Sequence, residues 1–170
     1  MLDFLFRRLT ADTPRGSALF ERVTEIAREP HWYVEGAVPD TVDGRFAVLA
    51  TVMALVLVRI EQEDDRGNAL SVALTERFVE IMESEHREFG LGDPTLGKTV
   101  RKLVGSLARR TELWRSAAHG DSDWTEATGE SLYKSRVSAD ALGHSASALT
   151  RLKSWLDAAP LAEIAEGKLG

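Results

Sequence analysis

The sequence contains no cysteine in its 170 residues. Disulfide bonds, thiolate metal ligands and cysteine nucleophiles are therefore excluded. The absence fits a protein that works in a reducing cytoplasm. The composition, with 44% apolar and 28% charged residues, is typical of a soluble globular protein. A chain of this length most naturally forms one domain, so we expect a single helical domain over residues 1–170.

The sequence also lacks an apolar run long enough to span a membrane. The strongest candidate, FAVLATVMALVLV at residues 46–58, lies between Arg45 and Arg59. A membrane-spanning helix needs about 20 apolar residues, and this run is clearly shorter. A helix that is apolar all round is usually buried on all sides. The run therefore predicts a central core helix.

The first residues, MLDFLFRR, show neither a secretion signal nor the Arg- and Ser-rich, acid-poor character of an organelle presequence. We therefore expect a cytoplasmic protein. Residues 1–12 are expected to form a short N-terminal helix or arm. Its apolar face would carry Leu2, Leu5, Phe6 and Leu9.

Apolar residues recur at helical spacing almost throughout, and no run shows the period-two alternation of a β-strand. We predict an all-α protein, a single compact bundle of about six to seven helices without a sheet. The expected helix starts are Thr13-Pro14, Asp40 with Asp43 in a capping box, the turn at Gly67-Asn68, Asp93-Pro94, a position near Ser138, and Pro160, which opens a short turn or helix. After a polar turn at residues 120–122, a further helix is expected to carry Trp124 and Tyr133. The expected inner face of the fourth long helix carries Leu96, Val100, Leu103, Leu107 and Trp114.

Residues 92–99, GDPTLGKT, match the phosphate-loop pattern G-x-x-x-x-G-K-T. A phosphate loop follows a buried β-strand and surrounds the phosphates with backbone amides. Here a charged helical segment precedes the motif, and Pro94 removes one of the amide hydrogens. We interpret the match as a turn between two helices, with Gly90 closing the first of them.

Other patterns of catalytic or metal-binding residues are incomplete. Glu83 and His86 have the Glu-x-x-His spacing of a di-iron bundle, but no second copy of the motif occurs. No Gly-x-Ser-x-Gly elbow is present. A paired-carboxylate site stays open, since spatial pairing is invisible in the sequence. We expect no metal, no cofactor and no enzymatic activity.

Positive charge is concentrated in residues 96–115. This segment carries +5 in a chain of net charge −6, so the remainder carries −11. A basic strip of this kind could face an anionic partner, either RNA, lipid headgroups or an acidic protein. It could equally form salt bridges to the acidic segment 76–88. The predicted contact residues are Lys98, Arg101, Lys102, Arg109, Arg110 and Trp114.

Residues 80–93, EIMESEHREFGLGD, followed by VRKL at 100–103, resemble the ubiquinol–cytochrome c chaperone family, whose signature is an acidic helix, a Gly- and Asp-containing joint and a basic helix. DGRF at 43–46 and LAEIAEG at 161–167 add to the likeness, which covers residues 19–168. The sequence departs from the family at 107–114, where an aromatic pair, Gly-Arg and a Tyr are usual. The motif positions are Gly90, Gly92, Asp93, Pro94, Asp43, Arg45 and Phe46.

The resemblance implies a non-enzymatic assembly factor for the cytochrome bc complex (complex III). Its client would be newly made cytochrome b, an apolar membrane protein. Contact with ribosomes or with the anionic inner face of the cytoplasmic membrane would be expected, and some members act with a small partner protein. No contact with DNA and no cofactor is implied.

Two other functions stay open. One is a small-molecule-binding or enzymatic helical domain with a pocket lined by Trp32, Tyr33 or Trp114. The other is an adaptor for a soluble protein, which would show a flat polar surface. A broad exposed apolar patch or groove would instead favour the chaperone.

Overall fold

The structure, a computed structural model, describes residues 16–170. The expected N-terminal arm with Leu2, Leu5, Phe6 and Leu9, and the expected cap at Thr13-Pro14, lie outside the described residues. Across residues 16–170 the chain forms helices and no β-strand, which confirms the predicted all-α bundle. The α-helices are α1 (Ser17–Ala27), α2 (Val42–Ile60), α3 (Asp65–Glu88), α4 (Asp93–His119), α5 (Trp124–Leu132), α6 (Ala139–Ala158) and α7 (Leu161–Ala165), with a 3-10 turn at Pro30–Trp32.

Helix α2 is the centre of the bundle. Of its 19 residues, 13 are buried, and α1, α3, α4, α5 and α6 all pack against it. The run at 46–58 therefore forms the core helix that its uniform apolarity predicts. None of the helices in residues 16–170 combines the length and apolarity needed to cross a membrane.

The start of α2 differs from the prediction. Thr41, rather than Asp40, caps the helix, because its Oγ1 accepts a hydrogen bond from Gly44 N at 3.1 Å. Asp40 instead accepts from Arg45 Nε at 2.6 Å, and Asp43 accepts from Lys134 Nζ at 2.5 Å. Both carboxylates accept hydrogen bonds from side-chain cations, so the predicted capping box does not form.

The connection from α2 to α3 also corrects a prediction. The turn precedes Asp64, whose carboxylate caps α3 by accepting from Arg66 N at 3.0 Å. Gly67, expected in the turn, is buried in the first turn of α3. A Cβ at this position would lie 2.2 Å from Ile60 O. The glycine therefore permits close approach of α3 to the end of α2.

The joint between α3 and α4 is a turn between two helices. Helix α3 ends at Glu88, and Gly90 has φ +81°, as predicted for its C-terminal glycine. Gly92 is the N-cap of α4, so Asp93 is the first helical residue rather than the cap. Since helix α3 and not a β-strand precedes the joint, the phosphate-loop match at residues 92–99 is a coincidence of sequence, as interpreted.

The remaining helices complete the bundle around α2. Gly120, with φ +81°, ends α4, and Ser138 caps α6 by accepting from Ala141 N at 3.2 Å, as predicted. After α7, the last residues return to α1. Leu169 is 2% exposed, and Arg22 donates two hydrogen bonds to Leu169 O at 3.1 and 2.8 Å.

Candidate functional site

The most distinctive surface is a row of four cations on α4, which we call the basic row: Lys98, Arg101, Lys102 and Arg109. Their spacing of three, four and eleven residues from Lys98 places them on one helical face. The row spans about 16 Å at 1.5 Å per residue. The opposite face of α4 carries the buried Leu96, Val100 and Leu107, so the basic row points away from the core.

The basic row forms no close ion pair in the part of the chain that the structure describes, although the charge of Lys102 acts on the carboxylate of Asp43. None of its four residues takes part in an ion pair there. On the acidic helix α3, Arg77 pairs with Glu80 of the same helix. No ion pair among the described residues therefore supports the alternative that residues 76–88 neutralise the basic row. The row remains available to an external anion.

Arg110 was predicted with the basic row but has a structural role. Its Nε and Nη2 donate to Ser131 O at 3.1 and 2.9 Å. Its guanidinium carbon lies 5.9 Å from the centre of the Phe46 ring, a cation–π distance. Burial, followed by the positive charge of Arg109, lowers the pKa of Arg110 from its usual value. The side chain holds α4 to α5 rather than facing solvent.

Trp114, also predicted as a contact residue, lies in the core with 0% of its surface exposed. Its Nε1 donates to Ser131 Oγ at 3.0 Å, and this hydroxyl lies 2.6 Å from Thr51 Oγ1. The three side chains join α2, α4 and α5 through a buried polar network. Trp114 is therefore a core residue and not a residue of the partner-binding surface.

The structure brings a further cation, Lys134, close to the basic row. Lys134 forms an ion pair with Asp43. The hydrogen bond from Lys134, then its charge, and to a smaller extent the charge of Lys102 lower the pKa of Asp43. Lys134 is exposed in the loop between α5 and α6. Sequence reasoning missed Lys134 because it is separated from the row along the chain and is linked to it only through Asp43.

Within residues 16–170, four large apolar side chains are strongly exposed: Val34 (71%), Val42 (77%), Val72 (58%) and Phe89 (79%). Val72 and Phe89 both belong to the α3–α4 hairpin, the two long helices joined at residues 89–92. Val72 is on α3, and Phe89 ends it. Val42 is the first residue of α2 and neighbours Asp43. Phe89 lies in the family motif at residues 80–93, whereas the three valines were not singled out from the sequence, because isolated valines are most often buried.

The aromatic pocket of the small-molecule hypothesis does not form from the predicted residues. Trp32 is 2% exposed and donates from Nε1 to Ile26 O at 2.8 Å. The Tyr33 hydroxyl donates to Ala27 O at 2.7 Å, which fixes the loop after α1. An open cavity of about 370 Å³ is lined instead by Arg59, Gln62, Glu63, Lys153 and Asp157.

The Glu-x-x-His spacing on α3 does not assemble a metal centre. His86 Nδ1 lies 2.8 Å from Met82 O, within its own helix. Across residues 16–170 no three His, Asp or Glu side chains converge as they would around an ion.

Comparisons with known proteins agree with this fold. The chain is similar to the crystal structure of the Cbp3 homolog from Brucella abortus, with a TM-score of 0.78 and 24% sequence identity over 100% of this chain and 96% of that one. This likeness supports the helical fold. No curated protein matches the sequence. The model of the family described as ubiquinol-cytochrome C chaperone matches residues 35–169, which include α2 to α7 and the joint at Gly92. The chain therefore belongs to the ubiquinol-cytochrome C chaperone family.

Proposed function

We propose that this protein is a non-enzymatic chaperone in the assembly of ubiquinol–cytochrome c reductase, and that its client is newly made cytochrome b. The observation that carries the proposal is the family match over residues 35–169. The name of the family refers to this complex. Cytochrome b is its large apolar membrane subunit, which needs shielding before its cofactors and partner subunits arrive.

The α3–α4 hairpin is the surface that we assign to the client. Phe89 and Val72 present apolar side chains that are 79% and 58% exposed. They lie 17 residues apart, about 25 Å along α3 at 1.5 Å per residue, so each is a separate apolar contact point. Exposed apolar side chains on an amphipathic helix are suited to contact with an apolar transmembrane segment.

The basic row is assigned to an anionic surface near the site of client synthesis, either ribosomal RNA or lipid headgroups. Its four cations are exposed, and none of them forms an ion pair among the described residues. We therefore propose that the chaperone works in the cytoplasm, peripheral to the inner face of the membrane. Attachment of this kind weakens as salt rises, because it is driven by the release of counterions or by screened attraction.

Deletion of the gene tests the proposed function. We expect assembled complex III and its cytochrome b to fall, while the haem of an unrelated membrane protein in the same cells stays constant. Return of the wild-type gene should restore the complex. Equal amounts of assembled complex III with and without the gene would refute the proposal.

A further inference from the structure

The basic row is part of a larger cationic surface. Lys102 and Lys134 act on the same carboxylate, Asp43, from α4 and from the α5–α6 loop. At the other end of the row, Glu112 pairs with Arg115 and not with Arg109. We call the combined set the basic surface: Lys98, Arg101, Lys102, Arg109 and Lys134.

An exposed apolar residue lies beside these cations. Val42 is 77% exposed and directly precedes Asp43, which Lys134 contacts. Phe46, one turn later on the same face of α2, is half-buried. An apolar side chain among cations gains free energy at a membrane interface from two sources, burial among acyl chains and attraction to anionic headgroups.

The composition of the basic surface favours lipid over RNA. Binding of single-stranded RNA usually adds aromatic side chains on which the bases stack. Helix α4 has no exposed Phe, Tyr or Trp, since its Trp114 is fully buried. The row consists of two lysines and two arginines, whose ammonium and guanidinium groups bind the phosphate oxygens that a layer of headgroups presents.

We propose that the basic surface, with Val42, lies on an anionic phospholipid bilayer and holds the protein at the membrane into which its client inserts. The claim that the client inserts into this membrane rests on the proposed function. The affinity for lipid rests on the basic surface and Val42 alone. The α3–α4 hairpin is then held beside the bilayer.

Co-sedimentation of the full chain with vesicles tests the inference. We compare vesicles of phosphatidylcholine alone with vesicles of phosphatidylcholine and phosphatidylglycerol in equal parts. Binding is expected only to the anionic vesicles. The variant K98Q/R101Q/K102Q/R109Q should weaken it by on the order of a hundredfold or more, since each basic residue at the surface contributes comparably. The matched control R28Q/R66Q/R87Q/R151Q changes four exposed cations elsewhere and should keep most of the affinity.

Several outcomes would overturn the inference. They are no binding to anionic vesicles, equal loss in both quadruple variants, or loss of co-sedimentation with ribosomes in the basic-row variant while its vesicle binding persists. The last would make RNA the partner. Circular dichroism shows whether each variant is folded; should the basic-row variant not fold, K98Q/R101Q replaces it.

Deletion of the gene, combined with vesicle binding by the wild-type protein, separates this inference from the proposed function. If deletion does not change complex III while wild-type protein binds anionic vesicles, the proposed function fails and the inference holds. If deletion lowers complex III and the wild-type protein does not bind vesicles, the inference alone fails.

Discussion

Helices α2 and α3 follow each other in the chain but use their residues in opposite ways. Helix α2 buries 13 of its 19 residues, whereas α3 buries 4 of 24. The buried residues of α3 lie on one stripe with Leu74, Phe78 and Met82. The stability of the fold therefore depends mainly on the burial of α2. The exposed faces of α3 and α4 are not required for folding and are available for binding.

The polar side chains differ in the same way between the core and the basic row. The hydroxyls of Thr51 and Ser131 are buried beside Trp114, and Arg110 caps this group from the solvent side through Ser131 O. A buried polar group must be hydrogen-bonded to avoid a large desolvation cost. The cations of the basic row have no such contacts within the described residues and are therefore free to contact an anion.

The largest expected contrast is between one substitution in α2 and one in α3. Val56→Asp places a carboxylate at a position of α2 that is 0% exposed. An unpaired buried charge costs at least several kcal/mol, comparable to the whole stability of a domain, so the variant should not fold. Val72→Asp, at a position 58% exposed on α3, should change the free energy of unfolding by about 0.5 kcal/mol or less. Urea denaturation followed by circular dichroism measures both, and similar losses would contradict the division between the two helices.

Two glycines give the next contrast. A Cβ on Gly44 would lie 1.9 Å from Pro39 O, whereas a Cβ on Gly97 meets nothing within 4 Å. Gly44→Ala should lower the free energy of unfolding by about 3 kcal/mol, because backbone must move. Gly97→Ala, in the interior of α4, should raise it by about 0.5–1 kcal/mol through helix propensity. Thermal melting of the two variants checks the opposite signs; a loss in both would show that the hairpin is packed as tightly as α2.

A smaller effect is expected at the buried hydroxyl of Ser131. Ser131→Ala leaves Trp114 Nε1 without its acceptor, while Thr51 keeps its bond to Ala47 O. The loss should be about 2 kcal/mol, the usual cost of an unsatisfied buried donor. Ser147→Ala, at an exposed position of α6, is the control. An unchanged midpoint for Ser131→Ala in urea would mean that the network does not stabilise α2.

The smallest effect concerns Asp43 at the edge of the basic surface. Lys134 and then Lys102 lower its pKa, so the stabilisation is present above the usual aspartate range and is lost as pH falls through the lowered pKa. Lys134→Gln should raise the pKa of Asp43 in an NMR titration. The pKa of Asp40, which is lowered chiefly by Arg45, should not move. A pKa of Asp43 that does not change would place Lys134 away from the basic surface.

Periodicity and composition were enough to predict the bundle. The uncharged run at 46–58 predicted the central helix because no face of it can meet water without cost. Gly90 was predicted as a helix end because a left-handed φ is a local requirement that glycine meets. The last long helix was predicted to begin at about Ser138, which is its N-cap. The family resemblance, rather than any chemistry of the residues, predicted the chaperone role.

Contacts between distant residues were not predictable. Gly67 has the sequence context of a turn, yet it is helical because of the close approach to Ile60 O. Arg110 and Trp114 share a helix with the basic row, but their contacts with Ser131 decide that they are structural. Lys134 joins the row only because α5 ends beside Asp43. Each case depends on tertiary packing.

Site-specific photo-crosslinking in cells tests the central claim most directly. A photoreactive residue replaces Phe89 at the end of the hairpin, and in a matched strain it replaces Arg151, exposed on α6. We expect a crosslink from position 89 to newly made cytochrome b and none from position 151. Equal crosslinking from both positions, or crosslinks from 151 alone, would contradict the assignment of the hairpin to the client.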